Sequence, residues 1–169
     1  MEYDSKTKEE MTLEEFENII ELEGDSYDFT HCDFRCQLRR HLELKHWCAY
    51  ILLTKDCKLH KCYLDESGIF NSSIPIEVHG GWTYDNLEGD IYKIGFDCAH
   101  WGDINSLSFK GFNSYLQQLK TLGPDSFRSG GEQSYKTKSF VVEQLKDACE
   151  QLQEYSISKL RLKKIEEIL

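Results

Sequence analysis

The sequence predicts an α+β domain, a small antiparallel sheet with a bulged hairpin packed against N- and C-terminal helices. Three observations predict it. Apolar residues recur at helical spacing near both ends of the chain. His46–Thr54 is an unbroken apolar, partly β-branched run. Ile74–His79 and Asp90–Cys98 alternate apolar and polar residues with period two.

The elements follow in order. Thr12 and Glu15 form a capping box, in which the Thr hydroxyl and the Glu carboxylate each serve the other's backbone N–H. Leu13, Phe16, Ile19 and Ile20 make one apolar stripe behind it, and Gly24 ends the helix. A second helix is expected over about Asp33–Leu44, with Phe34, Leu38 and Leu42 inward and Arg35, Arg39 and Arg40 on its polar side. His46–Thr54 reads as a central strand buried on both faces. Lys55–Ser73 is a long polar connection. Ile74–His79 is then a strand with Ile74, Ile76 and Val78 inward, and Pro75 places it at an edge or a strand start.

Asp90–Cys98 is its partner, with Tyr92, Ile94, Phe96 and Cys98 on one face. Asn86–Gly89 serves as a four-residue loop, so Tyr84 faces Ile91 and Trp82 faces Lys93. One extra residue at Gly80-Gly81, a bulge, brings Val78 opposite Phe96 and His79 opposite Gly95. Asn105–Lys138 is rich in Ser, Gly and Asn and reads as a surface excursion with one short helix near Tyr115–Leu122. Ser139 caps a helix to about Tyr155, with the stripe Val141, Leu145, Ala148, Cys149 and Leu152. A last amphipathic helix covers Ser158–Leu169, and its apolar surface leaves room for self-association into a homo-oligomer. The division is an acidic helical segment (1–30), a core domain (31–155) and a C-terminal helix (156–169).

Charge and cysteine usage narrow the function. Residues 1–28 hold eleven acidic side chains against two lysines, which accounts for nearly all of the net charge of −10. Non-specific nucleic-acid binding is therefore not expected. The acidic segment is a solvated helix face or, alternatively, an electrostatic lure for a basic partner or a nucleic-acid mimic. No run of membrane-spanning length and no leader pattern is visible, so a cytoplasmic protein without membrane contact is expected. The seven cysteines form no regular framework and read as free thiols.

The chemistry concentrates between His79 and Asp103. In the bulged register, Trp82, Tyr84, His79 and Asp97 share one face, and Gly95 leaves a gap between them. A flat, polar ring would stack on Trp82 or Tyr84 while His79, Asp97, His100 and Asp103 contact its edges. Gly80 and Gly81 permit close backbone approach. A catalytic alternative uses His79 as general base, oriented by Asp97, with water or Cys98 as nucleophile. Parity places Cys98 on the opposite, apolar face, so it acts only if the strand ends at Asp97. No cofactor is required, but zinc has its own sequence argument. His46-x-Cys48 and Cys98-x-His100 are i,i+2 pairs that adjacent strands could bring together.

The set His79-Gly80-Gly81-x-Thr83-Tyr84 and Gly95-Phe96-Asp97-Cys98-Ala99-His100-x-Gly102-Asp103 resembles a widespread family of small bacteriophage and prophage proteins. His46-Trp47-Cys48-x-Tyr50 is similar to its upstream strand motif, and the likeness spans about Arg35–Leu152. It implies a bacterial host cytoplasm and an accessory role against host factors, including nucleotide signals used in defence. The expected function is thus a phage-type protein that binds a small polar, nucleotide-like ligand or a host factor. The alternatives are a His79-based hydrolase or transferase and an inhibitor of a host protein acting through the acidic helix.

Overall fold

A computed structural model describes residue 7 and residues 10–57, 76–109 and 133–166, with side chains up to residue 158. Helix α1 (Leu13–Glu23) starts at the predicted capping box: Glu15 N–H donates to Thr12 Oγ1 at 3.2 Å, and Thr12 N–H donates to Glu15 Oε2 at 2.9 Å. Gly24 ends it with a positive φ of 74°. Five antiparallel strands follow: β1 (Ser26–His31), β2 (Phe34–Arg40), β3 (Trp47–Leu53), β4 (Tyr84–Glu88) and β5 (Ile91–Asp97), in the order β1-β2-β3-β5-β4. One continuous helix among the described residues, α2 (Lys138–Glu166), lies against β2 and β3. The result is the α+β architecture, with N- and C-terminal helices around one sheet.

The expected helix over Asp33–Leu44 is instead the hairpin β1–β2. Phe34, Cys36, Leu38 and Arg40 are buried in alternation, which is strand periodicity. Leu42, assigned inward by the helical reading, is 84 % exposed. Cys32 and Asp33 turn the chain with φ of 49° and 65°, left-handed values at both central positions of the turn. Strand β1 therefore runs across the boundary drawn at residue 30.

Arg40 is buried because its charge is answered. Its guanidinium donates to Glu23 Oε2 at 2.9 Å, to the Gly24 and Lys45 carbonyls and to the Tyr135 hydroxyl, and it lies over the Trp47 ring. Glu23 also accepts from Trp47 Nε1, from Tyr135 Oη at 2.6 Å and from the Lys138 N–H at 2.7 Å. One carboxylate so joins α1, β2, β3 and the start of α2.

Strand β3 is central, as expected. Trp47, Ala49, Ile51 and Leu53 are fully buried, whereas Cys48 and Tyr50, on its other face, are only half-buried. Tyr92, Ile94 and Phe96 of β5 face the same core as Val141, Leu145, Ala148, Cys149 and Leu152 of α2, and both stripes match the sequence reading. Burying each large apolar side chain contributes about 1.5–3 kcal/mol. A smaller cluster of Met11, Phe16, Ile104 and Tyr135 seats α1.

Three local expectations fail. Residues 76–78 form no strand, although Ile76 and Val78 do turn toward the core. Gly80 and Gly81 are a turn rather than a bulge, closed by the Gly81 N–H on the Val78 carbonyl. Strand β4 continues through Glu88, so the hairpin closes on Gly89-Asp90 and Tyr84 pairs with Gly95, not Ile91. Gly89, with φ of 63°, supplies the left-handed position of that tighter turn.

Helix α2 also runs without a break through Ser158. The Ser158 hydroxyl donates back to the Glu154 carbonyl at 3.0 Å instead of capping a new helix. Thr137, not Ser139, caps the start, its Oγ1 accepting from the Phe140 N–H. The Ile74-Pro75 strand start, most of the Lys55–Ser73 connection and the helix near Tyr115–Leu122 lie outside the described residues. Among the described residues no helix is long and apolar enough to cross a membrane.

Candidate functional site

The site begins where β5 ends. The Cys98 N–H still donates to the Trp47 carbonyl, after which the chain folds into the turn His100–Asp103, closed by the Asp103 N–H on the His100 carbonyl at 2.8 Å. Asp103 is carried inward, with 1 % of its side chain exposed. Residues 102–104 are held there by two backbone hydrogen bonds to Ser134.

Two imidazoles close on that carboxylate. His79 Nε2 lies 2.9 Å from both Asp103 oxygens, and His100 Nδ1 lies 3.2 Å from Oδ2. The His100 backbone N–H donates to Oδ2 at 3.0 Å, and Lys136 Nζ stands 3.8 Å from Oδ1. An ionised carboxylate only accepts, so the nitrogens facing it carry the protons. His79 Nδ1 and His100 Nε2 are then the basic positions. Burial pushes the Asp103 carboxyl up. The His79 hydrogen bond and charge, the His100 N–H and Lys136 outweigh it and hold Asp103 below the usual value of 3.8.

The rings are held from behind. His79 packs edge-on against Phe140 of α2 at 5.4 Å and against His100 at 5.2 Å. Gly80 lies so close to His100 that a Cβ would fall 2.0 Å from Cε1, which explains a glycine at that position. Both rings keep an open side, with 21 % and 31 % of the His79 and His100 side chains exposed. His79, His100 and Asp103 form the group whose ligand atoms all lie within 4.8 Å of one another among the described residues.

Of the sequence-predicted residues, the structure thus gathers His79, His100, Asp103 and Gly80. Gly81 shapes the turn beside them. The others go elsewhere. Asp97 does not orient His79: it accepts from Thr83 Oγ1 at 2.7 Å and from the Ala99 N–H at 2.9 Å. Trp82 turns to the core side, where Nε1 donates to the Ile76 carbonyl and the ring meets Phe96. Tyr84 lies on the opposite face, edge-on to Tyr50 at 5.3 Å with its hydroxyl on Glu88. The two rings therefore make no common stacking platform. The gap at Gly95 is filled, since a Cβ there would meet the Ala49 carbonyl at 2.4 Å and the Tyr50 ring at 2.5 Å.

Cys98 is buried, and that burial, reinforced by Asp103 and Asp97, raises its thiol well above the usual range. It is not an available nucleophile. The zinc set His46, Cys48, Cys98 and His100 does not form either. Cys48 pairs with Asp97 and shares its outward face, while Cys98 faces the core, so the two thiols stand on opposite sides of the sheet. His46 is buried and stacked on His41 at 4.9 Å, with no partner for Nδ1. Lys136 and Phe140 were missed, because no motif spacing links them to His79. Only the packing of α2 against the turn does.

Comparison with family models, with curated proteins and with solved structures finds no match to this chain.

Proposed function

We propose that the protein is a small hydrolase acting on a polar, nucleotide-like substrate at His79, His100 and Asp103. The observation that carries this reading is the buried Asp103 carboxylate shared by two part-exposed imidazoles. A packed core has no need of such an arrangement. It fixes the tautomer and the direction of each ring, turning one nitrogen of each away from the carboxylate. His79 Nδ1 takes a proton from water as the oxygen attacks, and His100, once protonated at Nε2, returns one to the leaving group. Water is the nucleophile because Cys98 is buried.

The nucleotide-like substrate class comes from the resemblance to phage accessory proteins, in which host nucleotide signals are natural targets. The test is product formation from a panel of nucleoside phosphates and cyclic dinucleotides, followed by chromatography. Turnover lost in His79→Ala and in His100→Ala, and kept in Cys98→Ala, supports the reading. Tight binding without turnover by the intact protein replaces the hydrolase with a binding protein. Turnover unchanged in both histidine variants overturns the site.

A further inference from the structure

We propose that His79, His100 and Asp103 hold a divalent transition-metal ion of the zinc class, bound by two imidazole nitrogens and one carboxylate oxygen. This deepens the reading of the same three residues as the functional site and rests on it; an ion would take the place of the two ring protons facing Asp103, so His79 and His100 would serve as its ligands instead of as base and acid. The argument is geometric. His79 Nε2, His100 Nδ1 and Asp103 Oδ2 converge, with His79 2.9 Å and His100 3.2 Å from that oxygen. Taking one ligand atom from each residue, the three lie within 4.8 Å of one another. Metal–ligand bonds of about 2.0–2.2 Å set neighbouring ligand atoms about 3–3.5 Å apart, so the group needs only a small closure around an ion.

The donor chemistry selects the ion. Two imidazoles and a carboxylate suit zinc, iron or manganese, whereas calcium and magnesium favour all-oxygen sets. The ligands are also prepared. Gly80 backs the His100 ring and Phe140 backs the His79 ring, which fixes their directions. Lys136 stands by Oδ1, leaving Oδ2 as the oxygen nearest both rings. Three protein ligands with two part-exposed rings leave further coordination positions for water or substrate, the pattern of a reactive rather than a closed structural centre. The ion would supply Lewis acidity at the mouth of the site.

The experiment uses the full chain, stripped with a chelator and titrated with zinc and with cobalt(II). One ion per chain by elemental mass is expected. The cobalt form should show ligand-field bands of a nitrogen–oxygen site and no strong thiolate charge-transfer band. His79→Gln, His100→Gln and Asp103→Asn should each weaken zinc binding at least tenfold while keeping the far-ultraviolet dichroism of the parent. Absence of any stoichiometric ion, a thiolate band, or unchanged affinity in the three variants overturns the proposal. Where a variant fails to fold, the cobalt spectrum of the unaltered chain decides by itself. A chain that binds no ion yet loses turnover in His79→Ala keeps the hydrolase reading as a metal-free centre. A chain with neither property loses both.

Discussion

The Cα of Gly80 rests against the imidazole of His100, with an added methyl falling 2.0 Å from Cε1 and 2.1 Å from Nε2. Gly81, the next residue, has open space around its Cα although its φ of 85° is also left-handed. The two glycines therefore separate a steric role from a conformational one. Gly81→Ala should cost about 1–2 kcal/mol of stability and leave the site intact. Gly80→Ala carries the same backbone cost and also displaces His100, so turnover and metal affinity should fall at least tenfold. Equal activity in the two variants would show that the Gly80–His100 contact is not needed.

Cys98 should be inert. It is buried and its thiol is raised well above the usual range by burial, then by Asp103 and Asp97. Alkylation of the native protein, read by peptide mass, should label Cys57 and Cys48, which are less buried, long before Cys98. Rapid labelling of Cys98 would restore it as a candidate nucleophile.

The Glu23–Arg40 pair should be costly to break from one side. The Arg40 side chain is 1 % exposed, and its partner Glu23 accepts four hydrogen bonds. Arg40→Ala leaves that part-buried carboxylate without its cation, though still hydrogen-bonded to Trp47, Tyr135 and Lys138, so a loss of about 3 kcal/mol is expected in chemical denaturation. Arg40→Met combined with Glu23→Leu should lose less than the sum of the single changes. Strict additivity would mean that the pair is not coupled.

His46 should make stability fall in mild acid. Burial depresses its pKa below 6.5 and His41 and His100 add to this, against the opposing pull of Asp97 and Asp103. The folded state thus binds the proton less readily than the unfolded chain. The contribution is fully present above pH 6.5, the unfolded value, and is lost as pH drops toward the depressed folded value. His46→Gln should flatten the stability profile over that interval. An identical profile in the variant, or an imidazole that titrates normally by NMR, would contradict this.

Much of the scaffold could be read from the sequence because its signals are local. The Thr12–Glu15 box, the alternation of Tyr92, Ile94 and Phe96, and the Val141–Leu152 stripe each state their own geometry. The hairpin β1–β2 was hidden for two reasons. Its turn places Cys32 and Asp33 in the left-handed region, where glycine or asparagine is the usual mark. Its buried face also ends in Arg40, which looks polar until Glu23 is placed beside it. In the site, the density of His79, His100 and Asp103 was visible, but their pairing was not. Parity along β5 pointed to Asp97, which lies three positions before the turn that redirects the chain. That turn hands the carboxylate role to Asp103 and brings His100 back toward it.

The hub at Glu23 also sets an order of assembly. It receives Tyr135 and Lys138, 112 and 115 positions further along the chain, so its shell closes only when those residues arrive. On the ribosome the five strands emerge first, with the face that Val141–Leu152 will cover still wet. Nascent chains halted before residue 133 should be cleaved readily by protease, while chains that have released residue 158 should resist. Early protection would mean that the sheet stands alone. Closure of this fold thus waits for α2, whose first turn completes the hydrogen-bond shell of a carboxylate laid down on α1.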